Sequence, residues 1–189
     1  MRIQIALSVD TNDHEVKLLV DGNDVFRRLQ GMGLDPDDCA LPAALMPAAT
    51  PRTTIIGRCD CGVRGCGDID VRISLEEERI VWELAGEQFC FVAADYIAEL
   101  ERAGSDLSWE TPDRSAGRLV RCGIEQVRTQ LADHGLTFHW ASGRVQAGSF
   151  TASIESAQES QILIHIPWTD ESPEQIAAQL LVRLAALRG

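Results

Sequence analysis

The chain has little lysine and no large basic cluster, and this shortage excludes one class of partner. Lys17 is the single lysine, and 17 basic residues face 29 acidic ones, so the formal net charge of the 189 residues is −12. A nucleic-acid-binding protein needs a basic surface that displaces counterions, and the longest basic run here is the pair Arg27-Arg28. The composition therefore argues against nucleic acid, and the acidic charge suits either solubility or a basic protein as the partner.

Long apolar runs are also missing. No stretch reaches the roughly 18 apolar residues of a membrane-spanning helix. The apolar run that follows Arg2 is interrupted by Gln4 and ends at Asp10, which is too short for the core of a signal peptide. We therefore expect a cytoplasmic protein with no membrane segment. Because thiols stay reduced in that compartment, its six cysteines are expected to be thiols, metal ligands or redox groups.

The periodicity of the first half predicts a mainly antiparallel, β-rich N-terminal region of an α+β protein, covering residues 1–104. Alternating apolar residues predict strands, and the polar residues 10–13 predict the first turn. The predicted strands are 3–9, 15–20, 53–57, 68–74, 79–84 and 88–92. A helix over 94–103 follows and is predicted to end at Gly104. Four prolines within 34–51 argue against any long regular element there.

The second half predicts a helix–three-strand–helix region over residues 116–189, joined through a connection at 105–115. Apolar residues recur at helical spacing from Val120 to Leu131, and strands are predicted at 136–141, 148–155 and 161–166. Ser172, Pro173 and Gln175 have the spacing of a capping box that opens the last helix.

The alternation along these strands also predicts where two histidines lie. It places Leu136, Phe138 and Trp140 towards the helices, and it places His139 and His165 on the opposite face of the sheet. Two histidines on one face could contact a ligand or a metal. The simpler interpretation is two strand histidines that are packed at an interface or solvated.

The most distinctive segment holds Cys59, Cys61 and Cys66 in the pattern C-x-C-x₄-C, with glycines at 62, 65 and 67. Glycine allows positive φ, so the backbone can curl and the three thiols can converge. We predict these three cysteines as ligands of zinc or another thiophilic metal, which takes four ligands in a structural site. The fourth ligand has to come from elsewhere in the chain. The candidates are Cys39, Cys90 and His14, and, further along the chain, Cys122, His134, His139 and His165.

Two other interpretations of the loop stay open. The cysteines could be reduced and unliganded in a rigid, glycine-rich hairpin, because three ligands alone are an incomplete zinc site. Alternatively, one thiol could be a nucleophile or a redox group. Arg58 and Arg64 would lower a thiol pKa, whereas Asp60, Asp68 and Asp70 would raise it. The sequence therefore singles out no activated cysteine.

The spacing from Cys59 to Cys66 resembles the post-SET zinc loop of histone lysine methyltransferases. That resemblance implies zinc bound by the three loop cysteines and by a fourth cysteine from another part of the chain. The Asn-His catalytic signature of those enzymes is absent here, so the resemblance does not extend to methyltransferase activity.

The loop also resembles a family of uncharacterised bacterial proteins, in which a CGxxGCG stretch precedes a strand, a V-x-W strand and a strand followed by a helix with tyrosine. The matching downstream residues are Val81-Trp82 and Phe91 with Tyr96. This resemblance is expected to extend over most of the chain, and it implies a bacterial protein and no particular activity.

Common catalytic signatures are absent: the sequence contains no G-x-S-x-G, no G-x-x-x-x-G-K-[ST] and no H-E-x-x-H. Our leading hypothesis is therefore a non-enzymatic, small acidic bacterial binding protein, for which an immunity or antitoxin role against a basic effector would suit the charge. In this hypothesis the cysteine loop would be a structural zinc site or a rigid hairpin. The alternatives are a thiol- or metal-dependent enzyme that uses Cys59, Cys61 or Cys66, and a small-molecule sensor with a pocket between the two halves.

Overall fold

The computed structural model describes residues 1–7, 14–39, 41–61 and 65–187. It contains two compact units, Met1–Trp109 and Glu110–Gly189. Helices hold 34% of the residues and strands 40%, and the sheets are antiparallel, which confirms the α+β class. The division falls within the segment 105–115, whose limits as a connection stay a prediction. No helix in the described residues is long and apolar enough to cross a membrane.

The N-terminal unit contains two antiparallel sheets. The first has the order β1 (Arg2–Leu7), β2 (His14–Val20) and β3 (Asn23–Asp24). The second has the order β4 (Gly31–Gly33), β5 (Arg52–Cys59), β6 (Asp68–Glu76), β7 (Arg79–Leu84) and β8 (Glu87–Val92). The helical elements are α1 (Val25–Arg28), α2 (Pro36–Cys39), a 3-10 turn (Ala43–Leu45) and α3 (Ala93–Ser105). The strand predictions are therefore confirmed with small shifts, while residues 8–13 with the predicted first turn lie outside the described residues.

The predicted end of α3 at Gly104 is wrong, because the helix continues to Ser105. Gly104 has a packing role instead. A β-carbon at this position would lie 2.6 Å from Cδ of Pro42, so only glycine lets the helix approach the proline-rich segment this closely.

A chain of two hydrogen bonds connects α3 to the rest of the N-terminal core. The Trp82 indole Nε1 donates to the Tyr96 hydroxyl at 3.1 Å, and that hydroxyl donates to the Leu45 carbonyl at 2.7 Å. These three residues are at most 1% exposed. Buried polar groups are stable only when paired, so this chain fixes α3 against β7 and the 3-10 turn.

A second connection joins α3 to β1. The Glu99 carboxylate accepts the Ile3 backbone N–H at 2.6 Å and the Arg102 guanidinium at 2.8 Å. Arg102 in turn donates to the Ile3 carbonyl at 2.7 Å. The pKa of the Glu99 carboxyl is lowered below its usual value, and the hydrogen bonds from Arg102 are the largest cause.

The C-terminal unit has the predicted helix–three-strand–helix order. Its elements are α4 (Pro112–Asp133), β9 (Leu136–Gln146), β10 (Ser149–Ser156), β11 (Ile162–Pro167) and α5 (Pro173–Ala185), and β10 is the central strand. Ser172 and Gln175 form the predicted capping box at the start of α5. The two helices and one sheet face share a core that includes Val120, Ile124, Leu131, Ile164, Ile176 and Leu180.

The predicted direction of Trp140 is wrong, because a β-bulge interrupts β9. Phe138 is paired with Ile154 and Trp140 with Ser153, so β9 advances by two residues while β10 advances by one. The extra residue, His139, shifts the alternation of side chains between the two faces. Leu136 and Phe138 contact the core as predicted, but Trp140 is 36% exposed.

Candidate metal centre

The cysteine segment forms the loop of the hairpin between β5 and β6. Cys59 is the last residue of β5, and its backbone N–H donates to the Gly67 carbonyl at 2.8 Å. Gly65 has a φ of +78°, a conformation that favours glycine, and its N–H donates to the Asp68 carboxylate at 3.1 Å. These bonds bring the two ends of the loop together; residues 62–64 lie outside the described part.

The three predicted ligands lie close enough together to hold a metal ion. The Sγ atoms of Cys59, Cys61 and Cys66 all lie within 4.8 Å of one another, and the Cys59 and Cys61 sulfurs are 2.7 Å apart. Two thiolates on one tetrahedral zinc, each at about 2.3 Å from the ion, would be about 3.8 Å apart. The sulfur–sulfur distance expected on zinc is longer than the 2.7 Å between Cys59 and Cys61 and shorter than the 4.8 Å within which all three sulfurs lie. Binding a zinc ion therefore requires only small side-chain movements.

Gly67 makes room for the Cys59 side chain. A β-carbon at position 67 would lie 3.2 Å from Cβ and 3.5 Å from Sγ of Cys59. The glycine therefore leaves the space beside this sulfur open, on the side where the hairpin closes.

Without a metal, the Cys59 thiol holds its proton at neutral pH. Its pKa is raised to about 11, first by the hydrogen bond with the Cys61 thiol and then by desolvation, although a hydrogen bond from the Cys61 backbone lowers it. Because the thiolate is the reactive form of cysteine, this argues against Cys59 as a nucleophile in the metal-free chain. The backbone N–H of Cys61 is placed to stabilise a Cys59 thiolate once an ion has displaced the proton.

None of the candidate fourth ligands in the N-terminal unit joins the three thiols. In the described ranges of that unit, no further Cys, His, Asp or Glu has a ligand atom within the cluster. Cys39 is buried in α2, and burial, followed by the charge of Asp38, raises its pKa to about 12. Cys90 on β8 and Cys122 on α4 are exposed, and the buried His14 ring lies 5.4 Å from the Trp109 ring.

The two strand histidines each have a separate partner on β10. His139 Nε2 lies 2.8 Å from Glu155 Oε2, and His165 Nδ1 lies 3.0 Å from Thr151 Oγ1. Glu155 and Thr151 are four residues apart on one strand, a distance of about 13 Å. The two histidines are therefore not brought together as a pair of metal ligands.

A cavity of about 850 Å³ in the N-terminal unit was missed by sequence reasoning. Its lining includes Lys17, Arg27 and Phe89, which come from different elements. Arg28 also lines it, lying 5.2 Å from the Phe89 ring centroid and pairing with Glu87 at 2.7 Å. The adjacent pair Arg27-Arg28 was the only sign of this basic lining in the sequence.

Comparison of the chain with protein-family models, with curated proteins and with solved structures finds no match. The functional argument therefore depends on the chemistry of the three thiols.

Proposed function

We propose that this chain is a non-enzymatic, acidic binding protein of the bacterial cytoplasm, whose β5–β6 hairpin holds a zinc ion through Cys59, Cys61 and Cys66. The observation that carries the proposal is the convergence of these three sulfur atoms within 4.8 Å. No two of the six cysteines, all of which are described, form a disulfide. Reduced thiols are what a cytoplasmic metal site requires.

The charge of a zinc–tris-thiolate centre favours a structural role over hydrolytic catalysis. Three thiolates exceed the two positive charges of zinc, and a metal acidifies its bound water through its positive charge. Zinc sites with two or three cysteines do activate water in deaminases, where two cysteines form a P-C-x-x-C motif and a glutamate two residues after the remaining ligand acts as general acid and base. This sequence has no P-C-x-x-C and no glutamate two residues after any histidine or cysteine, so the enzyme alternative has less support.

Metal content and thiol reactivity test the site directly. The full chain, purified under reducing conditions, should carry one zinc by elemental analysis, with three of its six cysteines protected from a thiol reagent. Cys61→Ser and Cys66→Ser should lose the zinc. Cys90→Ser and Cys122→Ser are matched controls that should retain it, because these exposed cysteines lie on β8 and α4. A metal-free chain with one fast-reacting thiol would contradict the proposal and support the enzyme alternative.

The proposed partner is a basic protein, such as the effector of an immunity or antitoxin pair. A net charge of −12 repels nucleic acid and accelerates association with a positively charged surface. Affinity capture from the native host should recover a basic protein, with yield falling as salt increases. Recovery of no protein at physiological salt would count against this part of the proposal.

A further inference from the structure

Within the described residues of its own unit, the candidate centre offers three sulfur ligands and no fourth. Cys61 and Cys66 are exposed, while Cys59 is half-buried at the end of β5. The three residues outside the described range in this loop are Gly62, Val63 and Arg64, whose side chains are not thiol, imidazole or carboxylate donors. The hairpin alone therefore satisfies an ion that takes three ligands, whereas zinc takes four in a closed structural site.

Charge balance also favours an ion other than zinc. Three thiolates carry three negative charges, which leave a complex with a divalent ion negatively charged and a complex with a trivalent ion neutral. In the sequence of the same hairpin, Asp60 and Asp68 are matched in number by Arg58 and Arg64. The segment therefore supplies no net positive charge that would offset a surplus negative charge on the complex, and this favours the neutral, trivalent complex.

We propose that the hairpin binds trivalent, three-coordinate thiophilic metalloid ions, the class of arsenic(III) and antimony(III), through Cys59, Cys61 and Cys66. This rests on the part of the proposed function that makes these three thiols one binding centre, and not on the identity of the ion as zinc. Arsenous acid reacts without a change of oxidation state. Three As–O bonds and three S–H bonds break, three As–S bonds form, and each hydroxyl leaves with a thiol proton as water.

Intact-mass spectrometry of the full chain with arsenite tests the proposal, with a phosphine as the reductant so that no other thiol is present. The expected product has gained one arsenic and lost three hydrogens, and its titratable thiols fall from six to three. Cys90→Ser and Cys122→Ser should give the same gain of one arsenic and loss of three hydrogens. Cys61→Ser and Cys66→Ser should lose the three-bond product, because two remaining thiols leave one hydroxyl on the arsenic.

The outcomes separate this proposal from the zinc proposal. Three-bond arsenic with no zinc binding would retain this inference and contradict the zinc centre. Zinc binding together with only a two-bond, hydroxyl-retaining arsenic product would overturn this inference alone. Three-bond product that persists in both Cys61→Ser and Cys66→Ser would overturn it as well, since the arsenic would then be bound by other cysteines.

Discussion

Replacing Tyr96 by phenylalanine tests whether the buried hydrogen-bond chain stabilises the unit that carries the hairpin. The substitution removes one oxygen atom and retains the ring. It leaves two groups without their partner: the Trp82 indole N–H, 3.1 Å from that oxygen, and the Leu45 carbonyl, 2.7 Å from it. Both residues are fully buried, so water cannot replace the hydroxyl without opening the core.

The size of the effect follows from the two unpaired groups. Each buried donor or acceptor that loses its partner costs about 1–3 kcal/mol, so Tyr96→Phe should lower the free energy of unfolding by about 2–6 kcal/mol. For a unit of roughly this size, each kcal/mol lowers the midpoint of thermal unfolding by roughly 4 °C or more. The midpoint should therefore fall by at least about 8 °C.

Urea and thermal unfolding followed by circular dichroism measure this loss. Ser105→Ala is a suitable control, because it removes an exposed hydroxyl from the same helix, where Ser105 donates to the Arg102 carbonyl at 3.0 Å. The control should change the free energy of unfolding by less than about 0.5 kcal/mol. A Tyr96→Phe variant as stable as this control would refute the reasoning that the two buried groups depend on the hydroxyl.

Three further predictions concern a charge, a helix cap and the metal site. The pKa of Glu99 is lowered chiefly by hydrogen bonds from Arg102, so its charged form stabilises the fold above the ordinary carboxylate pKa of about 4.3, and this contribution disappears as the pH falls through the lower folded-state pKa. Glu99→Gln should therefore lower the urea midpoint at neutral pH, and its difference from the native chain should vanish in acid; a constant difference would contradict the linkage. Ser172→Ala removes the capping box of α5 and should cost about 0.5–2 kcal/mol in urea unfolding; no loss would show that the cap is dispensable. Gly67→Ala places a methyl group 3.2 Å from Cβ of Cys59, so competitive chelator titration should show zinc affinity lower by about tenfold with little change in unfolding; unchanged affinity would contradict the role given to this glycine.

Elements whose pattern is local could be predicted from the sequence. The strand at 79–84 and the capping box at Ser172 depend on residues a few positions apart, and the structure has both. The bulge at His139 depends on how β9 pairs with a strand that follows it. Regular alternation therefore predicted the wrong face for Trp140, since one extra residue moves every later side chain to the other face.

The glycines just before the proline-rich segment show the same limit from the opposite side. No strand is predicted at residues 31–33, yet β4 forms there, with Gly31 and Gly33 paired with Cys59 and Gly57 of β5. A β-carbon at Gly33 would collide with the carbonyl of Val16. The glycines are therefore required by a contact with a distant strand, which the local composition does not reveal.

The cysteine centre depends on a local sequence pattern that lies within a fold built by other residues. Convergence of three thiols follows from a local spacing and from glycines, and backbone hydrogen bonds from Cys59 to Gly67 and from Gly65 to Asp68 close the hairpin without an ion. Cys59, Cys61 and Cys66 are not part of the buried core of their unit. In zinc fingers the metal supplies the free energy of folding, whereas here the core is built from other residues. An ion that binds here therefore meets a hairpin whose ends are already joined. The less rearrangement binding requires, the larger the share of the metal–sulfur bond energy that remains as affinity.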